Sequence, residues 1–186
     1  MPRGDMLIHA GDFTDWGSIF DIGDFSHWLS QLSYKYVIVI AGNHDVKFES
    51  YPDMAYAALR SRRKDVIYLQ NRMVEIEGLR IFGSPYTPRF TGGFQLDNSK
   101  SFWRTLIPDG VDIVVTHGPP YGILDEILDC HEGDSGLLER LIEVKPKLHV
   151  FGHIHESYGV IKQRYGIKFV NASCGFQLNK PIVVDI

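Results

Sequence analysis

The sequence predicts an α/β protein built from two sheets packed face to face with helices outside, and three observations predict it. Apolar β-branched runs alternate with segments of helical period through the first two-thirds of the chain, and short strands accumulate in the last third. Four of the apolar runs end in a polar turn that carries an acid, an amide or a histidine. With 186 residues, 44% of them hydrophobic, the chain has enough apolar content for one core and reads as a single domain over residues 1–186.

Met6–Ala10 is a short strand that delivers Gly11-Asp12. Phe20 to Leu32 has apolar residues near helical spacing and crosses back to the run Tyr36–Ala41, which makes a βαβ unit and hence a parallel pair. That second strand delivers Gly42-Asn43-His44-Asp45, where a glycine straight after the strand lets the backbone turn sharply. Both loops leave the same sheet edge, so Asp12 and Asn43 are expected to be neighbours.

Pro52 to Ser61 reads as a helix with proline in its first turn, and Val66 to Leu69 as a short strand. Val74–Ile76 and Leu79–Phe82 flank Glu77-Gly78 as a β-hairpin. A proline-punctuated excursion from Gly83 through Gly92-Gly93 reads equally well as a substrate rim or a plain surface loop. A helix is expected around Ser99 to Leu106, a third buried strand at Val111–Val115 delivering Thr116-His117, and a helix at Leu137–Val144 capped by Asp134 or Ser135. Leu148–Phe151 is a fourth such strand, delivering Gly152-His153-Ile154-His155. Tyr158–Gln163, Ile167–Asn171 and Ile182–Ile186 then read as an antiparallel sheet, with turns at Arg164-Tyr165-Gly166 and Leu178-Asn179-Lys180-Pro181.

A net charge of −4 and a pI near 6.0 exclude a global basic field for nucleic acid or anionic membrane. The one basic run, Arg60 to Lys64, sits at a helix end, where cations complement the helix dipole. Two cysteines, Cys130 and Cys174, form no disulfide framework and no metal knuckle, and no apolar run is long enough to span a bilayer. A cytoplasmic protein of unspecified oligomeric state is the expectation.

Asp12, Asn43 with His44, His117, and His153 with His155 thus gather from four strand ends. A mixed carboxylate, amide and imidazole shell suits a divalent ion such as Mn, Fe or Zn. His44 is suited to move a proton near neutral pH, with Asp45 beside it to orient the ring. His9 and His149 lie inside strands and read as core histidines, while His27 and His131 read as solvated. Trp16, Tyr86, Phe90 and Tyr121 have the rings to stack on a base, but the core reading is favoured for the first three; Tyr121, following the His117 loop, is a candidate substrate contact along with Asn43 and His44.

Gly11-Asp12, Gly42 to Asp45, Thr116-His117 and Gly152 to His155, in this order and each after an apolar strand, resemble the calcineurin-like metallophosphoesterase family. Gly83-Ser84-Pro85 with Pro88, and His117 to Pro120, further resemble the subfamily named for its metallophosphoesterase domain, implicated in cyclic nucleotide hydrolysis. The resemblance implies a four-layer α/β/β/α sandwich of two mixed sheets. It implies two divalent ions, one held by Asp12, Asn43, His117 and His153, the other by the bridging Asp12 and His155. It gives His44 the role of proton donor, with Asp45 behind it. The family opens with a strand ending in Asp-x-His, which completes the site that His155 serves. Only Met1 to Asp5 precede the Gly11-Asp12 strand here, so the chain is expected to lack that motif, to be N-terminally truncated, and to lack its first strand. Three readings follow, of which a domain that holds metal only for stability ranks last, since His44 and Asp45 would be idle in it. Of the other two, one is a metal-dependent phosphoesterase acting on phosphodiesters, cyclic nucleotides among them; the other is a catalytically impaired metal- or nucleotide-binding relative. The expected partner in either case is a small phosphoester or nucleotide.

Overall fold

A computed structural model describes residues 1–97, 99–175 and 180–186, leaving aside the side chain of Lys162. The first half runs β1 (Met6–Ala10), α1 (Ile19–Ser30), β2 (Tyr36–Ile40), α2 (Lys47–Ser50), α3 (Pro52–Leu59) and β3 (Ile67–Tyr68). The hairpin β4 (Arg72–Ile76) and β5 (Leu79–Ser84) follows, then the short β6 (Thr87–Pro88) and β7 (Gln95–Leu96), α4 (Ser99–Leu106) and β8 (Ile113–Thr116). The remainder comprises β9 (Glu126–Ile127), β10 (Cys130–His131), α5 (Ser135–Val144), β11 (Leu148–Phe151), β12 (Gly159–Arg164) and β13 (Ile167–Asn171).

Among the described residues, β1, β2 and β3 form one parallel sheet. A six-stranded sheet has the order β12-β13-β11-β8-β5-β4. Its four inner strands are parallel, and β12 and β4 pair antiparallel at its edges. Strand alternation builds the layers. Val37 and Val39 face α1 and α3, where Ile22, Leu29, Ala55 and Leu59 are buried. Ile38 and Ile40 face the other way and meet Ile81, Ile113, Val115 and Val150 of the large sheet. Phe82, Val114, Phe151 and Phe169 leave the far side of that sheet to pack on α4 and α5 through Trp103, Leu137 and Leu141. Helices, sheet, sheet and helices are therefore the four layers.

Asp134 settles the cap of α5: its Oδ1 accepts from the Leu137 amide at 2.8 Å, and its Oδ2 accepts from Trp103 Nε1 at 2.9 Å, tying α4 to α5. The basic run is structural and serves two helices: Arg60 lies over the Tyr56 ring of α3 and donates to its hydroxyl, while Arg63 serves α1. Arg63 donates from Nη1 to the carbonyls of Leu29 and Leu32 and from Nη2 to that of Tyr34, satisfying open carbonyls at and beyond the end of α1.

The expected antiparallel sheet at the C-terminal end is smaller than its sequence pattern. β12 and β13 form an antiparallel hairpin with a register shift, but β13 pairs parallel with β11. The run Ile182–Ile186 is no strand. Ile182 and Val184 lie against the inter-sheet core and Val183 points to solvent, so one-sided burial produced the alternation without a ladder. Of the turn expected over 178–181, Leu178 and Asn179 lie outside the described residues. No helix among the described residues is long and apolar enough to cross a membrane.

Candidate metal centre

Parallel β1 and β2 end side by side, with Ala10 opposite Ile40, and release the Gly11-Asp12 and Gly42-Asn43 turns together. The large sheet contributes His117 after β8 and His153 after β11. Asp12, His117 and His153 each place one ligand atom so that all lie within 4.8 Å of one another. Asn43 stands among them, its Oδ1 2.9 Å from His117 Nε2 and 3.0 Å from His153 Nδ1. Asp12 Oδ2 is 3.1 Å from His117 Nε2.

Second contacts aim each ligand. His117 Nδ1 lies 2.7 Å from the Ala10 carbonyl, which only accepts, so Nδ1 carries the hydrogen and Nε2 faces the cluster. Asn43 donates from Nδ2 to the Thr91 carbonyl at 3.1 Å, which points Oδ1 inward. The His44 amide donates to Asp12 Oδ1 at 2.9 Å. Asp12 and His153 both have left-handed backbone, with φ of 56° and 67°. For non-glycine residues that costs about 1–3 kcal/mol each and needs support from surrounding structure.

Glycine at 42 is required for a reason the sequence pattern does not show. Its φ is not in the positive region, so the turn itself does not demand it. A Cβ there would stand 2.3 Å from Asp12 Oδ1 and 2.6 Å from His117 Cε1, inside the cluster. Close approach, not conformational freedom, excludes a side chain.

Burial works against the Asp12 carboxylate, yet the His117 charge and hydrogen bond and the His44 amide bring its pKa down to about 2. For His117, burial opposes the charged form, but Asp12 and the Ala10 carbonyl outweigh it and raise its pKa above the ordinary value. Burial, aided by His117, lowers His153 to about 3, leaving a neutral imidazole. An acceptor oxygen of Asn43 and a carboxylate oxygen of Asp12 converge on a nitrogen whose hydrogen lies on its other side. A proton on Nε2, which the raised pKa favours, or a divalent ion in its place is what keeps the lone pairs of these atoms from facing one another. A carboxylate oxygen, an amide oxygen and two imidazole nitrogens gathered at one point are the donor set of a divalent ion, so the residues present fit one.

Two expectations about the proton-handling pair are revised. Asp45 does not stand behind the His44 imidazole. It is fully buried and accepts four hydrogen bonds, from the amides of Asp12 and Gly42 on Oδ2 and from the amide and hydroxyl of Thr14 on Oδ1. Asp45 therefore clamps the Asp12 loop to the Gly42 turn. Burial and the Asp12 charge push its carboxyl up to about 7, against the pull of the Gly42 and Thr14 donors. The group that orients His44 is the Asp15 carbonyl, 2.5 Å from Nδ1. A backbone oxygen has no sequence signature, so this partner was invisible in the sequence.

The other candidates are placed as follows. His155 is exposed, lies outside the cluster of Asp12, His117 and His153, and rests against Gly175, where a Cβ would come within 2.6 Å of its Nδ1. Tyr121 is exposed and packs edge-on against His131 at 5.3 Å. His131 is exposed, as expected, with its Nδ1 2.8 Å from an oxygen of the buried Asp125. Asp129-Cys130-His131 is an Asp-x-His triplet, contrary to the expectation that the chain has none, but it sits at the β9–β10 ribbon and not in the cluster. The excursion after β5 is a rim: Gly93 donates to the Asn43 carbonyl at 2.8 Å, and a Cβ on Gly92 would stand 2.2 Å from that oxygen. The Gly92-Gly93 pair was the available signal.

The family model for calcineurin-like phosphoesterases matches residues 2–157. The chain is 41% identical over 219 residues to metallophosphoesterase domain-containing protein 1 of Homo sapiens, with all of the chain and 66% of that protein covered. It is 36% identical over 221 residues to UPF0046 protein T07D4.2 of Caenorhabditis elegans, covering all of the chain and 55% of that protein. The chain thus spans less than two-thirds of either relative's length. Among solved structures it is similar in fold to TT1561 of Thermus thermophilus, with a TM-score of 0.63 at 13% identity over 91% of this chain and 76% of that one. A structure titled as a novel archaeal phosphodiesterase aligns with a TM-score of 0.50 at 19% identity, over 92% of this chain and 70% of that one. With the family model matched over most of its length, the chain belongs to the calcineurin-like phosphoesterase family, whose members are typically phosphoesterase hydrolases using divalent metal ions.

Proposed function

We propose that this chain hydrolyses phosphodiesters, cyclic nucleotides among them, with His44 as proton donor. The observation that carries the reading is the convergence of Asp12, Asn43, His117 and His153 beside an imidazole held by backbone. Those four residues would hold a divalent ion, and Asp12 with His155 would serve a second. Such ions neutralise phosphoryl oxygens and acidify water. The chain's own groups do the rest. His44, donating from Nδ1 to Asp15, keeps Nε2 to carry a proton to the leaving oxygen. Asp45 holds the two loops in register. The exposed, unpaired Cys130 and Cys174 agree with a cytoplasmic setting.

A second reading, metal or nucleotide binding without turnover, is favoured by one observation: His155 stands outside the cluster formed by the other ligands. Hydrolysis of bis(p-nitrophenyl) phosphate with Mn²⁺ separates the two. Turnover by the wild type that falls by about 10²–10⁴-fold in His44→Ala is the expected result. Binding of a cyclic nucleotide by folded protein in excess Mn²⁺, with no turnover of either compound, would overturn the enzymatic reading.

A further inference from the structure

Two large aromatic rings expected in the core stand instead in solvent beside the metal centre. Trp16 is 62% exposed and Phe90 is 72% exposed. Each lies against a different functional imidazole. The Trp16 ring is 5.0 Å from that of His44, tilted at 37°, and the Phe90 ring is 5.8 Å from that of His153, edge-on at 79°. The rings therefore mark two flanks of one site, one by the proton donor and one by a metal ligand.

Both rings ride on braced backbone. On one side of Trp16 the Asp15 carbonyl holds His44; on the other the Gly17 amide donates to Thr14 Oγ1 at 2.9 Å. Gly17 has φ of 72°, and a Cβ there would be 2.8 Å from Val46, so the turn is seated tightly. The Phe90 amide donates to Gln95 Oε1, and Gln95 Nε2 donates to the carbonyls of Thr91 and Gly93. Asn43 is bonded to Thr91 and Gly93 in turn. A ring carried on braced backbone has less freedom to lose when another ring packs on it than one on a mobile loop.

We propose that Trp16 and Phe90 are selectivity residues, which favour phosphoesters carrying a flat aromatic group, phenyl or nucleobase, over aliphatic ones. The proposal rests on the phosphoesterase reading above. Ring faces recognise flatness and area rather than a hydrogen-bond pattern, so the preference is for any planar group and not for one base.

The test is calorimetric titration of the Mn²⁺-loaded protein with phenyl phosphate and methyl phosphate, run beside hydrolysis of the aryl diester. Phenyl phosphate is expected to bind about tenfold more tightly than methyl phosphate. Trp16→Ala and Phe90→Ala should each shrink that ratio by about threefold, the double variant should bring it near one, and Trp16→Phe should keep most of it. If Trp16 merely shields His44, both ligands weaken together and the ratio stays, which overturns the proposal. Failure of the wild type to prefer phenyl phosphate overturns it as well. An intact ratio lost in the variants, without hydrolysis of any ester, would leave the ring assignment standing and remove the hydrolase reading. Hydrolysis with a ratio indifferent to both rings would do the reverse.

Discussion

His117 and His149 are both buried imidazoles on neighbouring strands of the large sheet, yet the protein treats them in opposite ways. His149 lies in mid-strand between Phe151 and Phe169, and its Nε2 is 2.9 Å from Thr116 Oγ1. That hydroxyl already donates to the Gly118 carbonyl, so Nε2 carries the hydrogen and Nδ1 is left without a partner. Burial alone drives its pKa down to about 3. His117 is buried as deeply, but it stands at the strand end, where Asp12 reverses the effect of burial and raises its pKa. Burial therefore does not distinguish a candidate ligand histidine from a structural one. What distinguishes His117 is the set of acceptors converging on its free nitrogen from another sheet.

The sharpest way to break this contrast is to remove each ring. His117→Ala is expected to lower the affinity for Mn²⁺ by about 10²-fold or more and to abolish turnover, whereas His149→Leu should leave the affinity within about twofold. Metal titration by electron paramagnetic resonance decides it. Equal losses would mean that packing of the sheet, not ligation, controls the centre.

A weaker lever is the clamp that brings Asp12 to His117. Asn in place of Asp45 keeps one acceptor oxygen and puts an NH₂ group against backbone amides. With four hydrogen bonds to a buried acceptor disturbed, Asp45→Asn should cost about 3–5 kcal/mol of stability by urea unfolding. A loss under about 1 kcal/mol would sink the clamp assignment.

Asp45 also shows where sequence reasoning stops. Four apolar runs with polar ends were legible because strands buried on both faces are apolar without a break up to the turn that ends them. The candidate ligand types were legible because they follow strand ends, Asp12 and Asn43 on one sheet and His117 and His153 on the other. The direction of Asp45 was not, since adjacency to His44 says nothing of where a turn sends a side chain. Trp16 and Phe90 were misplaced in the core because hydrophobicity alone does not report a solvent-facing turn. His131 is exposed as expected, but its bond to Asp125 was not legible, because the partner is six residues away in an irregular loop with no period to read.

The smaller effects concern pH and the rim. The folded-state pKa of His149, about 3, is below its ordinary value of 6.5. Above pH 6.5 both folded and unfolded forms are neutral and His149 adds no pH dependence. As pH falls below 6.5 the unfolded chain takes up a proton that the folded chain refuses, so stability is lost progressively toward pH 3. Between about pH 7 and pH 4, His149→Leu should therefore lose about 3 kcal/mol less stability than the wild type does. Parallel curves for the two proteins would show that His149 is protonated in the folded state, and the contrast with His117 would disappear.

Gly92→Ala should have the smallest effect and tests whether the rim belongs to the centre. Gly92 has φ of 85°, and its missing Cβ leaves room for the Asn43 carbonyl. An alanine would be strained in that conformation and would push the loop off Asn43, at about 1–2 kcal/mol. Asn43 Nδ2 would lose the Thr91 carbonyl that points Oδ1 at His117 and His153, so metal affinity should fall along with stability. A surface loop unconnected to the site would lose stability alone. Mn²⁺ affinity that falls by about tenfold in Gly92→Ala, beside an unchanged affinity in His149→Leu, would place the rim with His117 as part of one unit. It would also show that the centre reaches beyond its ligands to a backbone 48 residues away from Asn43 in sequence.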